Sequence, residues 1–148
     1  MPVTAVTPME DTIDLLVAQW NNSNVATPND FVKHNTLVVK RLVNLRNGSA
    51  IIGRPSTTSH EIQPIGNWVY GNNTYDIELE VKTATSRQRL WDLIWEIKRI
   101  CFNKKHSLTY FQRIQFLSFN EQVDEELAMW TGFVRIRLVN QAVKLDTT

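Results

Sequence analysis

The chain has 148 residues and a formal net charge of +1, with 43% hydrophobic and 21% charged residues. This composition predicts one globular domain, residues 1–148, with a real core. The near-neutral charge argues against nucleic-acid binding driven by bulk electrostatics, and no apolar run approaches the roughly 18–20 residues that a membrane crossing needs. The single Cys101 cannot form an internal disulfide. The opening MPVTAVTPMEDTIDLL lacks a basic segment ahead of an apolar one, so the expectation is a chain that is not secreted and does not depend on oxidation. The three Asn-x-Ser/Thr matches, at Asn21, Asn47 and Asn72, then read as chance.

A first helix is expected over residues 8–20. Thr7 is its candidate N-cap, Pro8 fits the first helical position, and Glu10 and Asp11 suit the positive helix end. Ile13, Leu16, Val17 and Trp20 would form its apolar face. Residues 24–35 read as a loop. TLVVKRLVNL, residues 36–45, reads as a strand, Asn47-Gly48 as a type I′ turn, and residues 50–54 as the return strand. Residues 55–60 (PSTTSH), with no core-forming residue before Ile62, read as a mobile loop. A strand at 65–70 and a turn at Gly71-Asn72-Asn73 follow.

From Tyr75 the alternation is strict. Tyr75, Ile77, Leu79 and Val81 share one face; Asp76, Glu78, Glu80 and Lys82 share the other, as in a half-buried strand. Thr85 or Ser86 caps the next helix. Leu90, Ile94, Ile97 and Cys101 form its stripe, widened by Trp91, Leu93, Trp95 and Ile100. Asn103-Lys104-Lys105-His106 ends it. Strands are expected at 109–119 and 131–139, joined through the acidic stretch 121–126. The predicted fold class is α+β, an antiparallel sheet with two main helices packed on one face, in the order α-β-β-β-β-α-β-β.

Catalytic signatures are scarce. There is no GxGxxG, P-loop or GxSxG, and His34, His60 and His106 lie far apart, without metal-ligand spacing. No enzyme activity, cofactor or metal is expected, and Cys101 on the apolar stripe reads as a buried, inert thiol. The carboxylates Asp76, Glu78 and Glu80 leave a catalytic pair open, but their i, i+2, i+4 spacing suits a solvated strand face. Arg135 and Arg137 show the same spacing with opposite sign. In neighbouring strands the two sets would meet pairwise, at roughly 0.2–1 kcal/mol each; in different subunits they would set register between copies. Trp68 and Trp130 adjoin turn-type residues, and burial and interface both remain open for them. The basic and aromatic segment 104–113 supports an alternative: a small nucleic-acid-binding or adaptor domain.

Two stretches carry a resemblance. Asp76 to Lys82, running into Ser86-Arg87-Gln88-Arg89-Leu90, and Trp130-Thr131-Gly132-Phe133-Val134-Arg135-Ile136 sit in an order of elements that resembles the tail-terminator or tail-completion (neck) proteins of tailed viruses. The resemblance implies a small α+β virion subunit that assembles as a homo-oligomeric ring, usually a hexamer. Such a ring ends tail-tube growth and joins the tube to the head-side connector. It implies partners that are other copies, tail-tube and connector proteins, with neither a membrane nor direct nucleic-acid contact, and assembly in the host cytoplasm. Interface candidates are then Arg54 and His60 on the mobile loop, Trp68 and Trp130 as anchors, and the stripes Asp76, Glu78, Glu80 and Arg135, Arg137. Glu78→Lys with Glu80→Lys is expected to block assembly while leaving the subunit folded.

Overall fold

The computed structural model describes residues 7–33, 48–54, 57–65, 68–108, 111–124 and 129–144. The expected strand at 36–45 and Asn47 of the expected turn lie outside them. The elements are α1 (Pro8–Gln19), β1 (Asp30–Lys33), β2 (Ser49–Gly53), β3 (Thr57–Ile65), β4 (Trp68–Thr83), α2 (Arg87–Asn103), β5 (Arg113–Asp124) and β6 (Met129–Lys144). This is the α+β order read from the sequence. The sheet runs β1-β2-β4-β6-β5, with β3 beside β4. β1 pairs β2 in parallel and every other described pair is antiparallel, so the sheet is mixed where a purely antiparallel one was expected.

β4 is the central strand because its alternation is unbroken. On one face Tyr75, Ile77, Leu79 and Val81 stand opposite Leu138, Ile136, Val134 and Gly132 of β6. Both helices cover this face. α2 packs closely over Gly132: a Cβ there would lie 2.8 Å from Ile94 Cδ1. α2 opens on Ser86, whose Oγ accepts from Arg89 N at 3.1 Å. Leu90, Leu93, Ile94, Ile97 and Ile100 are fully buried beneath it. At about 1.5–3 kcal/mol each, these five side chains contribute roughly 8–15 kcal/mol before entropy is counted. Trp95, expected to widen this stripe, is 55% exposed. At about 100° per residue it lies some 140° round the helix from Leu90, beyond the covered face.

α1 packs over β1 and β2 through Met9, Thr12, Ile13, Leu15 and Leu16. Thr7 has extended backbone at the N-cap position, but its side chain makes no capping bond. The first turn closes through Asp11 N to Thr7 O at 3.2 Å. Val17, expected on the apolar face, is 53% exposed. Trp20 closes the helix exit: Nε1 donates to Val25 O at 2.9 Å and the ring meets Phe31 edge-on at 5.6 Å. Phe31 belongs to β1, inside the stretch read as a loop. Asn29 fastens this short strand to β2, with Asn29 N donating to Ser49 O and Ser49 N to Asn29 Oδ1.

Three further corrections concern strand extent. The expected mobile loop at 55–60 falls largely within β3, which pairs antiparallel with β4 from Thr57↔Asp76 to Ile65↔Trp68. β4 runs unbroken through Gly71-Asn72-Asn73, expected as a turn; the register against β6 shifts there instead, as at a β-bulge. Part of the acidic connector belongs to β5, which extends to Asp124.

One polar device ties the helices together. Glu96 is 2% exposed and ion-paired with Arg99. Glu96 Oε2 also accepts from Asn21 N at 3.4 Å, and an Arg99 guanidinium nitrogen donates to Gln19 O at 3.1 Å. The pair therefore clamps the exit of α1 onto α2.

Candidate functional site

The sheet face away from the helices carries most of the charged residues singled out in the sequence. Asp76 stands opposite Arg137, and Glu78 opposite Arg135, in the β4–β6 register. Arg137 donates to Asp76 in bidentate fashion, Nε to Oδ1 at 2.8 Å and a terminal nitrogen to Oδ2 at 3.1 Å. The two charged stripes thus meet within one chain. Both side chains of that pair are about two-fifths exposed, and such pairs contribute up to about 1 kcal/mol. Glu80 is the buried member, 5% exposed, ion-paired with Arg54 and with Lys82 at 2.9 Å. Arg54 also donates its backbone N–H to Glu78 O at 2.9 Å. Glu78 and Arg135 form no ion pair among the described residues; with Ser118, Asn120, Gln122 and Phe133 they line a shallow groove of about 480 Å³.

The other candidates are more scattered. His60 lies in β3 opposite Asn73, and Trp68 opens β4 opposite Ile65. Trp130 is half-buried and packs against the main core.

Three carboxylates are held below their ordinary values. For Asp76 the Arg137 hydrogen bonds dominate. For Glu80 burial pushes upward, but hydrogen bonds from Lys82 and Arg54 outweigh it. For Glu121, on β5, the Arg87 hydrogen bonds dominate. Each folded value lies below its unfolded one, so the associated stability is complete above the ordinary carboxylate range and is lost as pH falls through the lowered values. The melting temperature is accordingly expected to be insensitive to these groups near neutrality and to fall once pH drops below about 4.5. Arg137→Met should remove part of that acid sensitivity; an unchanged pH profile in this variant would contradict the assignment to Asp76.

The second surface was not anticipated. On α2, Trp91, Trp95, Lys98 and Phe102 fall roughly 80–140° from Leu90, a stripe separate from the core. Trp95 and Phe102 are 55% and 68% exposed. Trp91 is better supported, meeting Phe119 of β5 edge-on at 5.0 Å and donating from Nε1 to Glu121 at 2.7 Å. Lys98 Nζ lies 4.4 Å from the Trp95 ring centroid, a cation–π contact. At the C-terminal end of α2, Phe102, Lys105, His106, Arg113, Gln115 and Phe116 are among the residues lining a cavity of about 330 Å³. Arg113 Nε is buried there with no hydrogen-bond partner among the described residues. This cavity overlaps the basic and aromatic segment noted in the sequence.

Asp76 and Glu80 are stabilised as carboxylates, whereas a general acid needs its pKa raised toward neutrality. Burial pushes the Cys101 thiol up to about 12, which removes it as a nucleophile. No cluster of three potential metal ligands occurs among the described residues, and no described helix is long and apolar enough to cross a membrane.

No family model matches the chain, and none of the curated proteins matches it. Among solved structures, it is similar to a chain from the virion of a native gene transfer agent (GTA) particle. The TM-score is 0.62 at 12% identity, over 91% of this chain and 95% of that one. At that identity the likeness is one of fold, and it extends over nearly the whole of both chains.

Proposed function

We propose that this chain is a structural virion protein that assembles as a ring at the head–tail neck or tail end, terminating the tail tube and joining it to the connector. The observation that carries the reading is the near full-length fold likeness to a chain of a virion particle. The exposed aromatic stripe on α2 and the carboxylates held in their ionised form agree with a protein whose work is contact. In this reading the ring's neighbours, tube end and connector are its partners, and it uses no cofactor.

Of the two arrangements left open for the charged stripes, the pairs seen lie within one chain. Asp76 with Arg137, and Glu80 with Arg54 and Lys82, are satisfied inside the subunit, so they need no second copy. Glu80→Lys would bury a cation beside two others and unfold the chain, which makes the paired Glu78 and Glu80 substitution unsuitable. The groove around Glu78 and Arg135 is what this face offers to a stacked partner. The test is the native mass of the purified chain across a dilution series. A discrete oligomer of fixed stoichiometry is the expected result, and a monomer at every concentration would overturn the reading.

A further inference from the structure

The two flanks of the fold differ in charge. α1 lies on the β1 side of the sheet, and the Asp14–Lys33 ion pair at 2.5 Å turns one side of α1 toward β1. Residues 7–33 carry four carboxylates, Glu10, Asp11, Asp14 and Asp30, and one cation, Lys33, for a net of −3. Asp14, Val17 and Asp30 are exposed there. α2 lies over β4, β6 and β5, the half of the sheet away from β1. Residues 98–113 carry five cations, Lys98, Arg99, Lys104, Lys105 and Arg113, and no carboxylate. Arg99 is occupied by Glu96; Lys105 and Arg113 line the cavity beside exposed Phe102, and Lys98 sits over the Trp95 ring.

We infer that copies of this chain join head to tail, the acidic α1/β1 flank of one seating on the basic and aromatic α2/β5 flank of the next, with a carboxylate entering the cavity at Lys105 and Arg113. This rests on the ring reading and deepens it by naming the two surfaces. The argument is complementarity. Opposite signs occur at opposite ends of one sheet, each with exposed apolar surface, Val17 on one and Trp95 with Phe102 on the other. Two different patches on one subunit make a heterologous contact, which propagates and closes if its rotation permits. Opposite charges fix the register and speed encounter, and the apolar groups supply surface to bury. Lys105 and Arg113 among its lining residues give the cavity cationic side chains that suit an anionic group.

The experiment uses two full-length variants, each first checked for wild-type circular dichroism and melting. One is Lys98→Glu with Lys105→Glu; the other is Asp14→Lys with Asp30→Lys. The first takes residues 98–113 from +5 to +1 and the second takes residues 7–33 from −3 to +1, so each alone loses most of the charge contrast across the contact and should lose the assembled species in native mass measurements. Mixed in equal amounts, they should form a one-to-one heterodimer and nothing larger, because the unaltered acidic flank of the first variant fits the unaltered basic flank of the second. Assembly of either variant alone at wild-type concentration overturns the inference while leaving the ring reading intact, as does a mixture that stays monomeric. A monomeric wild type overturns both. A duplex DNA oligonucleotide supplies the remaining arm: salt-sensitive binding by the wild type, abolished by Lys98→Glu with Lys105→Glu, would assign the basic flank to nucleic acid and overturn the inference.

Discussion

Arg99→Ala is expected to destabilise the fold by about 3–5 kcal/mol, the usual cost of stranding a buried charge. Glu96 is almost wholly enclosed, and its partners are the Arg99 guanidinium and Asn21 N. Removing Arg99 leaves a buried carboxylate with one long backbone contact. It also releases Gln19 O, which holds the exit of α1 against α2. Denaturant unfolding should show a lower midpoint with an unchanged slope. Glu96→Leu combined with Arg99→Leu should lose much less, since apolar replacement of both partners removes the uncompensated charge. Equal losses in the single and double variants would contradict the clamp.

Ile97→Ala is expected to cost about 2–5 kcal/mol. Ile97 is fully buried on the core side of α2, within the cluster that joins both helices to β4 and β6. Truncation loses the transfer energy of the removed methyl and methylene groups and leaves a cavity in a region with little room to collapse. Chemical unfolding measures this directly, and a loss below about 1 kcal/mol would mean that the site relaxes around the vacancy. Trp95→Ala makes the contrast. Its ring lies outside the core, so its main effect should fall on contact between copies.

What the sequence revealed depends on how far each pattern rests on local periodicity. The strand from Tyr75 and the stripe Leu90, Ile94, Ile97 and Cys101 were legible because period 2 and period 3.6 cannot be confused over that length. β3 was missed because Thr57-Thr58-Ser59-His60 offers no apolar face, and its pairing comes from the adjacent half of β4. A signal was present: only Gly66 and Asn67 separate Ile65 from Trp68, a two-residue connection of the kind hairpins favour. β1 is four residues long and depends on Asn29 and β2, so no periodicity could mark it.

The candidate surfaces divide the same way. Asp76, Glu78, Glu80, Arg135 and Arg137 were visible as alternating charges, but which of them pair depended on β4 and β6 being neighbours. The aromatic flank was missed because Trp91 and Trp95 were read as widening the core stripe, although a helical wheel sets Trp95, Lys98 and Phe102 apart from it together. The Glu96–Arg99 clamp was not readable. In sequence it is an ordinary polar i, i+3 pair, and only the arrival of residues 19–21 from α1 buries it.

Electron microscopy of the purified chain should show closed rings with a central opening and one fixed number of copies. A field of separate monomers, or of open filaments that never close, would contradict the ring reading.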